Sequence, residues 1–222
     1  MAEADAARAH RPAQERAERS RRAILEAATP VFLRDGYTAA SLNRIIEASG
    51  LTKGGFYFHF PSKQALALAV VADHRERWVE RVSAASAPLP RAVDRMFEAP
   101  RILARLSTSA DSPAGPRRVI EELARDPDLR DELCGGLRFW VEVVASHFAA
   151  AQREGDVRAD VDPTEFAEVA VASFTGMQGM SEQLDDGRLP RRVESFIQLM
   201  QASVLTEQGW EVSATEGGQR DG

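Results

Sequence analysis

The stretch Ser41–Lys63 reads SLNRIIEASGLTKGGFYFHFPSK. Ser41 can cap a helix whose Leu42, Ile45, Ile46 and Ser49 share one face. Gly50 ends that helix, and its freedom at positive φ suits a tight turn. Thr52 can cap a second short helix through about Phe58. Pro61 breaks the chain again, and Ser62 can cap a third helix. Two short helices around a Gly-containing turn make a helix-turn-helix, whose second helix enters the major groove of duplex DNA. Leu42, Ile45, Ile46, Leu51 and Phe56 can share a core with Val31 and Phe32 of the preceding segment.

The chemistry of the second helix fits a phosphate-rich partner. Gly54 and Gly55 let the backbone come close to DNA, and free amides at a helix start donate to phosphate. Thr52 and Lys53 can reach base edges or phosphates. Tyr57 and His59 carry polar tips on rings that can pack; simple packing is the competing reading for both. Lys63 stands at the positive end of the next helix, where a nearby phosphate would relieve it; a solvated lysine is the alternative. Arg44 is expected on the exposed side of the first motif helix, within reach of a DNA backbone.

Working outward, the pattern is helical almost throughout. Ile24, Ala28, Val31 and Phe32 line one face of a helix expected from Glu15 to Asp35, stopped by Gly36, with a kink near Glu26–Pro30. After the motif, Leu66, Val70, His74, Trp78 and Val82 recur every four residues. A helix from about Pro90 to Ser107 is expected to be interrupted at Pro100. TSADSPAGP reads as a loop, followed by a short helix from Arg117 to Arg125. Asp126-Pro127 opens a long helix with Leu129, Leu133, Leu137, Trp140, Val144 and Phe148. Pro163 and Pro190 open two more. The tail GWEVSATEGGQRDG has no periodic apolar face and is expected to be mobile.

Composition narrows the class. The 222 residues are 44% hydrophobic and 28% charged, enough for a packed core. Residues 1–65 hold ten Lys/Arg and seven Asp/Glu, and the remainder eighteen and twenty-seven, so net +3 stands against −9. A basic first third on an acidic body suits a polyanion, although scatter alone could give it. No apolar run approaches the roughly 20 residues needed to span a bilayer, and the N-terminus lacks a signal peptide's apolar region. A cytoplasmic protein is expected, with no membrane partner. Cys134 is the single cysteine, which excludes an internal disulfide; with four scattered histidines, no metal site is expected.

The ordered elements Gly36-Tyr37, Ser41, Ile45, Gly50-Leu51-Thr52-Lys53-Gly54, Tyr57, His59-Phe60 and Ser62-Lys63 resemble the TetR family of bacterial repressors. The resemblance covers roughly residues 20–66. It departs at Ile46, where a small residue is common, and at Phe56, where Leu is common. It implies an all-α homodimer with an N-terminal three-helix DNA-binding domain and a C-terminal helical domain that binds a ligand and dimerises. It assigns DNA contact to Ser41, Thr52, Lys53, Gly54, Tyr57, His59 and Lys63; Gly55 and Arg44 join them from the reading of the residues. LTKGGFYFHFPSK, Trp140, VDPTEF and SFTGMQGMSE are similar, more loosely, to the γ-butyrolactone receptor group. In that group a tryptophan on the long helix lines the ligand pocket, and Trp140 matches. The expected layout is an arm over 1–14, the helix-turn-helix domain over 15–62, the helical domain over 63–208 and a tail over 209–222.

Met96, Phe97, Trp140, Phe174 and Met177 are either plain core or the walls of a pocket, with His147 and Gln178 able to orient a ligand. Few formal charges fall on these stripes, so an uncharged, partly apolar inducer is expected. The helices from Pro163 and Pro190 have wide apolar faces that a monomer would leave in water. Phe166, Ser173, Met180, Leu184, Val193, Phe196, Ile197 and Met200 are therefore expected in a symmetric four-helix interface with a second copy. A ligand-responsive repressor on an inverted-repeat operator follows, needing no cofactor. The alternative is a helical enzyme or adaptor without DNA binding. Against an enzyme, GxSxG, HExxH and a phosphate loop are absent, and Cys134 and His147 lie about 20 Å apart on one helix.

Overall fold

The computed structural model describes residues 2–108 and 117–210, with side chains from Gln14 onward. Helix α1 (Ala2–Ala39) is followed by α2 (Leu42–Ala48), α3 (Lys53–His59), α4 (Lys63–Ser86), α5 (Ala92–Thr108), α6 (Arg117–Leu123), α7 (Arg130–Glu154), α8 (Pro163–Leu184) and α9 (Leu189–Val204). Among the described residues there is no strand, only one antiparallel bridge between Val157 and Leu205. The all-α class stands. The loop expected at 108–116 falls largely, and the tail beyond Trp210 wholly, outside the described residues.

Four of the helix starts follow local side-chain capping. The Ser41 hydroxyl accepts the Arg44 amide at 3.4 Å, Thr52 accepts Gly55 at 3.1 Å and Ser62 accepts Ala65 at 3.0 Å. Asp162 accepts both Thr164 and Glu165 at 2.8 and 2.9 Å, ahead of Pro163. Asp126 accepts Asp128 at 3.0 Å, but Pro127–Leu129 form a 3₁₀ turn before α7 begins.

Three expectations about helix continuity change. The segment expected as an arm is helical in backbone from Ala2, consistent with its Ala, Glu and Arg content. The break in α1 is at Gly36 (φ 76°, ψ −179°), not near Pro30. Pro30 is exposed, so the carbonyl it leaves unpaired can turn to water. Helix α5 runs straight through Pro100. There Arg101 bonds both carboxylate oxygens of Glu194 on α9, at 2.7 and 3.0 Å, and tertiary packing outweighs the missing N–H.

The chain divides into two compact units. Among the described residues the first takes in 2–76 and 117–130, wider than the expected 15–62. The reason is burial: Leu66, Ala67 and Val70 on α4, and Val119 and Leu123 on α6, are as covered as Ile24, Phe32, Ile45 and Phe56. Helix α6 lies on α1. The second unit takes in 77–108 and 131–210. Its core joins Val93, Met96, Phe97, Phe148, Phe166, Val193, Ile197 and Leu205. Phe148 and Phe166 bring α7 and α8 together with ring centroids 4.3 Å apart.

Candidate nucleic-acid interface

The short α3 is held from beneath and open above. Phe56 is fully buried and Phe60 nearly so, with their rings 6.0 Å apart. Ile45 and Ile46 of α2 are buried in the same unit. Thr52, Lys53 and Gly54 are exposed, Gly55 is half-buried, and Tyr57 keeps about half of its surface open. A Cβ built on Gly54 would meet nothing within 4 Å, so the helix surface there is bare backbone. Arg44 is exposed on α2, and Ser41 is half-buried with its hydroxyl in the cap. His59 is half-buried, its ring edge-on to Phe58 at 5.0 Å. Thr52, Lys53, Gly54 and Tyr57 are thus exposed on α3 and its cap, with Arg44 exposed on the neighbouring helix.

Lys63 has partners within its own unit. Its ammonium donates to the Thr38 carbonyl at 3.2 Å and stands 4.9 Å from the centre of the Tyr37 ring. Burial lowers its pKa, with the Glu122 carboxylate acting the other way. One of its three donors is thus used within the unit. Glu122 in turn accepts the Thr38 amide at 2.6 Å and the Arg118 guanidinium at 3.0 Å. These bonds hold its carboxyl below the ordinary glutamate value, the Thr38 amide contributing most. The sequence reading missed this clasp across 84 residues, and it missed Phe58, which is 78% exposed.

In the second unit the residues expected around a ligand divide. Met96 and Phe97 are buried in the core, while Phe174 and Met177 are half-buried against it. His147 is half-buried, with Nδ1 2.8 Å from the Val143 carbonyl one turn back. Gln178 is half-buried on α8. Trp140 is half-buried, edge-on to Phe139 at 5.6 Å, and lies outside the buried cluster. Leu137 is half exposed, so the α7 stripe does not face inward along its whole length. Among the described residues no group of three or more His, Cys, Asp or Glu could hold a metal ion.

The expected interface residues divide too. Val193 and Ile197 are buried within the protomer and Phe166 almost so, which removes them from any surface. Ser173, Phe196 and Met200 are half-buried, and Met180 and Leu184 are exposed. Val169 and Leu199, not foreseen, are exposed as well. Between α8 and α9 lies an open groove of about 470 Å³, lined by Met177, Met180, Phe196 and Leu199 together with Arg188, Arg191, Arg192 and Ser195.

Two family models meet this architecture. One, described as bacterial regulatory proteins of the tetR family, matches residues 24–70, the segment carrying α2 and α3. The other, a tetracyclin repressor-like C-terminal domain, matches residues 118–197. Together they cover more than half of the chain. The chain belongs to the TetR family. Its relatives include the A-factor receptor protein of Streptomyces griseus, 34% identical over 182 residues. That match takes in 81% of this TetR-family chain but spans 60% of the receptor's length. A solved structure described as the molecular basis for control of antibiotic production by bacterial hormones superposes with a TM-score of 0.68 at 29% identity, covering 84% of this chain and 97% of its own. A γ-butyrolactone receptor structure shares the fold, with a TM-score of 0.60 at 24% identity over 87% of this chain and 92% of its own. No helix among the described residues is long and apolar enough to cross a membrane.

Proposed function

We propose that this TetR-family chain is a transcriptional repressor that binds an inverted-repeat operator as a homodimer and is released by a small-molecule inducer. The observation that carries the reading is α3. Thr52, Lys53, bare Gly54 and Tyr57 are exposed together on a helix pinned from below by Phe56 and Phe60. In the major groove, Lys53 and Tyr57 contact phosphates or base edges, Thr52 and Gly55 bring the backbone close, and His59, Ser41 and Arg44 support the flanks. Lys63 takes the separate role of tying α4 to the end of α1.

The homodimer reading rests on the outer face of α8 and α9. Val169, Met180, Leu184 and Leu199 would stay in water without a partner, and a second copy covers the same groove symmetrically. The inducer is uncharged and partly apolar, of the γ-butyrolactone kind, held in the second unit beside Phe174, Met177 and Trp140. The kinship to the A-factor receptor supports that class. The inducer acts only through a higher affinity for the state that does not bind DNA. The protein works in the cytoplasm, and no step of this reading is catalytic.

The test starts from purified protein and sheared DNA from its genome of origin. Bound fragments should share an inverted repeat, and a panel of γ-butyrolactones should release them. Absence of sequence-selective binding at moderate salt overturns the repressor reading. Selective binding that no lactone disturbs overturns the inducer class alone.

A further inference from the structure

We propose that Phe58 reads sequence, by packing its ring on the 5-methyl group of a thymine in the major groove. This rests on the DNA-binding reading above. Phe58 is the most exposed large apolar side chain among the described residues. It has no interior position to return to, because Phe56 and Phe60 already fill the underside of α3. The edge-on contact with His59 sets the ring's orientation. One turn earlier on the same helix edge stands Gly54, with open space where a side chain would be. Lys53 and Tyr57 repeat the same i, i+4 relation on the adjacent edge, both exposed. The α3 surface therefore offers one edge with the polar side chains of Lys53 and Tyr57, beside one with no side chain at Gly54 and an apolar ring at Phe58.

A phenyl ring carries no donor or acceptor. Phosphates and most base-edge groups would meet it with uncompensated polar atoms. The apolar group in the major groove is the thymine methyl, which suits such a ring. Gly54 removes the side chain that would otherwise hold the helix away from the base edge.

The experiment uses the intact protein and an operator duplex selected with it from random DNA. Each thymine is replaced in turn, symmetrically in both half-sites, by deoxyuridine, which lacks only the methyl. At one position the wild type should lose about fourfold in affinity per half-site, about 15-fold for the dimer. Phe58→Ala should bind the thymine and uracil duplexes equally, and Phe58→Leu should keep part of the difference. Both substitutions are at an exposed site, so unchanged helicity is expected. Uracil insensitivity at every position overturns the inference, as does a methyl effect that persists in Phe58→Ala. A protein that selects no duplex overturns the DNA-binding reading itself, and this inference with it.

Discussion

Gly36→Ala should loosen the whole first unit, and by more than the same change at Gly50. Gly36 combines φ of 76° with ψ of −179°, a region that side chains enter at about 1–3 kcal/mol. A new Cβ would stand 2.6 Å from Glu122 Oε1 and 2.9 Å from Arg118 Nε. Both are ends of flexible side chains, so they can swing away. Doing so breaks the bond from the Thr38 amide to Glu122, worth about 1 kcal/mol. The expected loss is therefore about 3 kcal/mol. Gly50 has φ of 70° and open space around its Cβ direction, so only the left-handed backbone cost of about 1–2 kcal/mol applies.

Amide hydrogen exchange of the buried Ile45 and Phe56 segments reads these losses directly. Exchange should speed by about 100-fold in Gly36→Ala and about tenfold in Gly50→Ala, at about 1.4 kcal/mol per decade. Removing the obstacle supplies the control. In a Glu122→Ala background, the added cost of Gly36→Ala should shrink by about 1 kcal/mol, because the bond it breaks is already gone. Equal losses at the two glycines, or strict additivity with Glu122→Ala, would refute the clasp.

The same clasp predicts a pH dependence. Glu122 is held below its ordinary value of 4.5, so its stabilisation is present above that pH and is lost as pH falls through its lowered value; urea midpoints of wild type and Glu122→Gln should converge as the pH is lowered below 4.5. Asp186, bonded to Arg192 at 2.5 and 2.9 Å and to the Arg188 amide, should titrate at about 2, and Arg192→Ala should move its carboxyl resonance midpoint upward. Lys53→Ala and Tyr57→Phe should each weaken operator binding with helicity intact; Lys53→Ala, which removes a cation from each subunit, should also lower the salt slope by about 2 per dimer, whereas Tyr57→Phe, which removes no charge, should leave it unchanged. Leu199→Glu should shift sedimentation toward monomer without unfolding, whereas charge at Ile197, buried within the protomer, should unfold the second unit instead.

What the sequence revealed and what it hid follow the range of the forces. Ser41, Thr52, Ser62 and Asp162 cap amides two or three residues away, so their helix starts were legible. Lys63 to Thr38 and Glu122 to Thr38 are bonds across 25 and 84 residues, and no local pattern carries them. Phe58 was passed over because the motif resemblance draws attention to polar residues. Helix α9 shows the limit most sharply. Its apolar residues Val193, Phe196, Ile197, Leu199 and Met200 surround more than one side of the helix, and periodicity alone does not say which side meets its own core. The Arg101–Glu194 pair and the core shared with Val93 and Phe97 turn Val193 and Ile197 inward. Phe196 and Leu199 are then left along the outer groove. That division makes the interface proposal sharper. The inner side of α9 is fixed by α5, so its outer side is a pre-ordered surface, and covering it costs little further ordering entropy.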